Sequence, residues 1–197
     1  RGHEIAEQYL VAEKEKSAEV EHQVMEYLTN RKFREASLAV AAYEAEQVFP
    51  GGIGIDWKHY NPDRDIEILN TIFGSKPKII AKLEDAKLEV LRICAARKAL
   101  GKMNIAKEWL PANFETDLPF DNDTAVRMIT FWGWGRADLE QYRREGLKHV
   151  EIYPSPDSCE SCKKLAGKHY KVDEAPELPN PNCTHKMGCR CRFLPVI

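Results

Sequence analysis

The sequence predicts a mainly α fold: a multi-helix domain over residues 1–145, followed by a small cysteine-stapled module with short β-strands over 146–197. Three observations carry this. Apolar residues recur at helical spacing through most of the first 145 positions, the texture turns strand-like and proline-rich after Gly146, and five of the six cysteines fall in that final stretch.

The elements follow in order. Ile5, Tyr9, Ala12, Val20, Val24 and Leu28 mark one face of a long, thinly amphipathic helix in a field of Glu, Lys and Gln, broken at Thr29-Asn30. Phe33, Ala36, Val40, Tyr43 and Gln47 mark a second helix, with alanines that allow close packing. The segment FPGGIGIDWKHYNP reads as a loop anchored by Ile53, Ile55 and Trp57. Asp63 and Asp65 are candidate caps of a short helix stopped by Gly74. A broad apolar face from Ile79 to Ala95 predicts a helix over 78–100 with Gly101 as its cap, and 104–110 reads as a further helical turn. Asp123 or Thr124 then caps a helix expected to be interrupted or kinked near Gly133 and Gly135.

Composition excludes several classes. With 29 basic against 31 acidic residues the formal charge is only -2, so no global field draws the chain to nucleic acid or an anionic membrane. No apolar run approaches the roughly 18 residues that a membrane span needs. The start, RGHEIAEQYL, has no initiator Met and no signal pattern, which reads as a fragment of a longer protein. A reducing, cytoplasmic compartment is expected. No Ser/His/Asp set, P-loop, dinucleotide fingerprint or HExxH appears, so nothing points to an enzyme.

The chemistry sits in the cysteines. Cys159 and Cys162 form a CxxC turn, which places two sulfurs on one side of a tight loop, and Cys183, Cys189 and Cys191 close the site from across it. This is the spacing of a structural, zinc-ribbon-like Zn2+ site. Four of the five thiols are expected to ligate: Cys159, Cys162, Cys183 and one of Cys189 or Cys191, with His185 as a substitute. A disulfide framework leaves one cysteine unpaired; an iron–sulfur cluster also suits four thiolates. Lys163, Lys164, Lys168, His169, Lys171, Lys186, Arg190 and Arg192 surround the module, which admits nucleic-acid contact beside a purely solubilising role.

The other features have blander readings. FWGWGR at 131–136 is either a stacking platform or a packed helix end, and Trp57, His59 and Tyr60 line a pocket or pin a loop. Asp63, Asp65 and Glu67 are read as capping rather than metal-binding, and His3, His22 and His149 as solvated.

The C-terminal residues resemble the end of the phage head morphogenesis, or minor head protein, family, similar to protein F of phage Mu. Cys159, Cys162, Leu165, Gly167, Lys168, Leu178, Pro179, Cys189, Cys191 and Pro195 stand at places comparable to that family's CxxC, leucine-x-Gly-lysine turn, LP, CxC and final proline. Where the family has a short HPxCRC, this chain has NPNCTHKMGCRC, so Cys183 and the inserted THKMG are additional and His185 is displaced. The resemblance covers 146–197 and implies an assembly protein with protein partners, in the host cytoplasm or the virion. The alternative is a nucleic-acid-binding zinc module of a longer enzyme or regulator.

Overall fold

The computed structural model describes residues 2–46, 60–101 and 109–197, with side chains of the first helix from Leu10 onward. Among them the chain is mainly helical and ends in a small antiparallel sheet. It divides after Ile66 into two units. The expected boundary near Gly146 falls inside the second, Glu67–Ile197, which holds the cysteine segment together with three helices.

In the first unit, α1 (Gly2–Thr29) and α2 (Phe33–Glu46) form a helical hairpin. Val24, Leu28, Ala36, Val40 and Ala41 are buried, on the faces their spacing predicts. The turn is made at Arg31, whose φ of 59° is left-handed, and Lys32 N–H donates to the Tyr27 carbonyl at 2.8 Å. An ion pair of Lys16 with Glu46 ties the far end of α2 back to α1.

The next helix, α3 (Asp63–Gly74), starts differently from expectation. Asn61 Oδ1 accepts from Asp63 N–H at 2.9 Å, so the cap is Asn61 and the acids lie in the first turn. Asp65 instead accepts hydrogen bonds from Tyr60 and, at 2.6 Å, from Ser37 of α2. A buried hydroxyl needs such a partner. The anchors Ile53, Ile55 and Trp57, with His59, lie outside the described residues, as does most of the turn expected at 104–110.

In the second unit, the helix expected over 78–100 begins at Asp85. Lys78–Ile80 form a 3-10 turn, and α4 runs Asp85–Leu100. Pro77 and the Lys76 ammonium account for the break: Lys76 Nζ donates to the Ala81 and Leu83 carbonyls at 3.3 and 2.7 Å, diverting them from a helical ladder. Gly101 ends α4 in extended backbone, φ -171°, without the left-handed cap.

Helix α5 (Asn122–Arg144) is the longest in this unit and runs uninterrupted through both glycines. Its cap is Asp121, earlier than expected, whose Oδ1 accepts from Thr124 N–H at 2.7 Å; Thr124 itself is buried. A Cβ on Gly133 would stand 2.9 Å from Ile72 Cγ1 and 3.0 Å from Ile68 Cγ2, so this glycine admits α3 against α5. Trp132 Nε1 donates to Ser75 Oγ at 2.7 Å, Arg136 lies over the Trp132 ring at 5.6 Å, and Phe131 packs near Trp134. The FWGWGR motif is thus engaged in packing.

Strands β1 (His149–Tyr153), β2 (His169–Lys171) and β3 (Arg192–Val196) form a sheet in the order β2-β1-β3, antiparallel throughout. Val150, Ile152 and Phe193 point inward and are buried. Phe193 lies 3.4 Å from where a Gly135 Cβ would be, which seats the sheet on α5. His149, Glu151, Tyr153, His169, Lys171, Arg192 and Leu194 share the outer face. No described helix is long and apolar enough to cross a membrane.

Two expectations follow. Gly133→Val should overpack the α3–α5 contact and cost about 1–3 kcal/mol, whereas Gly135→Ala, with ordinary contact distances, should be neutral or raise stability through helix propensity by up to about 1 kcal/mol; thermal unfolding of both variants checks this. In the first unit, burial and the Asp65 hydrogen bond push the Tyr60 phenol up to about 12. A raised value means that its contribution is present below the ordinary phenol value of about 10 and is lost as pH rises through about 12. Base titration followed by circular dichroism should show this loss, and Tyr60→Phe should remove it.

Candidate metal centre

Short local structures bring the sulfurs together. Cys159 occupies the cap position of α6 (Glu160–Lys163), and Cys162 lies within that single turn. Beyond β2, Asn180 folds the chain back: its Oδ1 accepts from Asn182 N–H at 3.0 Å and its carbonyl accepts from Cys183 N–H at 3.0 Å. A second turn, with Gly188 N–H donating to the His185 carbonyl at 2.8 Å, returns Cys189 and Cys191 to the site and leads into β3.

All five thiols converge. Cys159, Cys162 and Cys183 lie with their sulfurs within 4.8 Å of one another, and so do Cys162, Cys189 and Cys191, Cys162 being common to both sets. The Cys159–Cys183 separation is 3.8 Å and the Cys162–Cys189 separation 3.9 Å. A tetrahedral ion with sulfurs at about 2.3 Å has edges of about 3.8 Å. Each of these two disjoint pairs stands at the edge length of such a tetrahedron, and Cys162 belongs to both three-sulfur sets. The thiols are free, and the separations far exceed the disulfide bond length of about 2.05 Å. Cys162, Cys189 and Cys191 are buried; Cys159 and Cys183 are half-buried.

The electrostatics divide the thiols, which together could hold a cation. Burial and the neighbouring Cys189 push the Cys162 thiol up. The hydrogen bond to Cys189, then burial, push Cys183 up. At Cys189 the bond from Cys183 pulls down, but the bond with Cys191 and burial carry it up. Cys159 differs: burial acts upward, and hydrogen bonds from the backbone of Thr184 and Cys162 outweigh it, bringing the thiol to about 6. Backbone donors also reach Cys183 from His185 and Cys189 from Asn180. Donors aimed at sulfur favour thiolate, while crowding disfavours it, and a cation among the sulfurs removes the second effect.

His185 faces elsewhere. Its Nδ1 accepts from Met187 N–H at 3.1 Å, and its Nε2 lies 3.4 Å from both Asp157 Oδ2 and Arg190 Nη2. Asp157 pairs with Arg190, which with the Ser155 hydroxyl holds its carboxyl well below the usual range. Of the basic group, Lys163 pairs with Glu160 and Lys171 with Glu174. Cys94 lies apart, buried beside a cavity of about 440 Å3 lined by Leu110, Phe114 and Val126, and burial pushes its thiol up to about 11.

Three supporting residues escape sequence reasoning. Asn180, buried, donates to Cys162 Sγ at 3.5 Å and Ser161 Oγ at 3.0 Å; the Asn-Pro-Asn run was its only signal. Met128 of α5 accepts at Sδ from Cys189 N–H at 3.2 Å. Gly188 presses on the same methionine, and its φ of 71° suits glycine.

No protein family, no curated protein and no solved structure matches the chain.

A Cβ at position 188 would stand 2.7 Å from Met128 Sδ and Cε and 2.9 Å from Thr124 Cγ2. Gly188→Ala combines this clash with a left-handed backbone and should cost about 2 kcal/mol or more. Thermal unfolding of the full chain reads the loss, which should exceed that of Gly167→Ala, where the added methyl meets open space.

Proposed function

We propose that Cys159, Cys162, Cys183 and Cys189 hold one structural Zn2+, with Cys191 as a neighbouring thiol, and that the chain is a structural, assembly protein. The observation that carries the zinc reading is the pair of sulfur separations at tetrahedral edge length inside a largely buried, all-sulfur set. Four protein ligands leave no position for substrate, which favours a structural role. An iron–sulfur cluster fits less well, because it spreads its four cysteines over two or more irons, whereas Cys159, Cys162 and Cys183 all lie within 4.8 Å of one another.

The assembly role rests on the resemblance of 146–197 to phage minor head proteins and on the surface that the staple holds. Tyr153 is 60% and Leu194 38% exposed on the outer face of the sheet, apolar groups suited to a protein partner. In this reading the chain acts in the host cytoplasm or the virion, and the zinc keeps the contact surface in shape.

Elemental analysis of purified protein should find one zinc per chain; iron with visible absorbance, or no metal, overturns the zinc reading. Structural zinc contributes apparent folding free energy of about 10–16 kcal/mol in small modules. Strong chelation or Cys159→Ser should therefore weaken the near-ultraviolet circular dichroism of the sheet aromatics Tyr153, Tyr170 and Phe193 while most far-ultraviolet helicity survives. For assembly, Tyr153→Asp/Leu194→Asp should retain zinc yet fail to co-sediment with phage head particles that the unaltered chain joins. Unimpaired incorporation would remove the sheet face from the proposal.

A further inference from the structure

The five sulfurs outnumber the ligands of one tetrahedral ion, and the fifth, Cys191, lies within the cluster. They fall into two three-sulfur sets, Cys159-Cys162-Cys183 and Cys162-Cys189-Cys191, each with all sulfurs within 4.8 Å of one another and joined through Cys162. A planar three-thiolate site with sulfurs at about 2.3 Å from the metal has sulfur–sulfur separations of about 4 Å. The measured separations of 3.8 and 3.9 Å, one from each set, agree with this. Zinc has no use for such a site, because it closes its shell with four ligands. A soft monovalent ion does, and thiolates select Cu(I) among biological metals.

We propose that the cluster is also a binding site for two Cu(I) ions, one in each three-sulfur set, bridged by the thiolate of Cys162. Two features of the fold suit this occupant. Cys162 is 1% exposed, Cys189 1% and Cys191 5%, so the shared sulfur and the second set are shielded from water. Asn180 Nδ2 donates to Cys162 Sγ, fixing the sulfur that must serve both ions. Loading forms six Cu–S bonds and releases to the buffer the protons that the five sulfurs still carry, with no change of oxidation state. Where zinc resides first, two incoming Cu(I) ions displace it: four Zn–S bonds and the Cys191 S–H bond break, six Cu–S bonds form, and one Zn2+ and one proton leave.

This inference rests on the same sulfurs as the zinc reading, but its test separates the two. The reduced, metal-free full chain is titrated anaerobically with Cu(I) against a chromophoric Cu(I) chelator, and in parallel with Zn2+, with bound ions counted by native mass spectrometry. The expected result is two Cu(I) per chain against one Zn2+. Cys191→Ser should keep its single zinc and bind one Cu(I), while Cys94→Ser should leave both counts unchanged. Saturation at one Cu(I), or two Cu(I) still bound by Cys191→Ser, overturns the two-ion site. Loss of zinc binding in Cys191→Ser also overturns it, since Cys191 would then belong to the zinc set. Two Cu(I) with no zinc in the wild type would instead sink the zinc reading and leave this one standing.

Discussion

Five sulfurs within a few ångströms form an unfavourable arrangement unless something compensates. As thiols they contribute little apolar surface and few strong hydrogen bonds; as thiolates they repel in a partly buried site. The module around them cannot compensate by burying a core of its own, since its inward residues reduce to Val150, Ile152, Val172, Leu178 and Phe193. A cation among the sulfurs changes both terms together, converting repulsion into coordination and closing two distant chain turns on α6. The return of Cys189 leads directly into β3 and the seating of Phe193.

The second constraint is α5. One of its faces receives α3 through the notch at Gly133, another receives Phe193 at Gly135, and its first turns meet the cysteine loop at Thr124 and Met128. The module is therefore not a bead on a string: the cysteine loop meets Met128 and Thr124 of the helical core. An ion pair of Arg143 with Asp173 and a hydrogen bond from Lys78 N–H to Glu177 Oε1 at 2.6 Å add polar links between the same parts. Strain at the centre is thereby felt in α5, and packing changes in α5 reach the sulfurs.

Much of this was legible in the sequence because it is periodic or clustered. The 3.6-residue spacing of Val24, Leu28, Ala36 and Val40 gives the hairpin, and the CxxC turn with its distant cysteines gives the converging thiols. What stayed hidden depends on tertiary partners. Lys76 diverts carbonyls from a helix whose apolar pattern reads as continuous back to Lys78. Gly133 and Gly135 read as breakers by propensity, yet the helix runs through both, and at Gly133 the tight contact with α3 explains why a small residue stands there. Asp65 looks like a cap and is instead the acceptor for two hydroxyls, one of them 28 residues earlier in the chain. No local pattern announces that Met128 will meet Cys189.

The sheet order β2-β1-β3 has one further consequence. The central strand is paired on both sides, so both outer strands present backbone toward neighbouring molecules. One edge is only three residues long, and the other carries Pro195, which lacks an N–H to offer. A small open sheet of this kind is a template for runaway strand addition, and brevity on one side with a missing donor on the other blunts both edges. That keeps association to faces rather than to fibres.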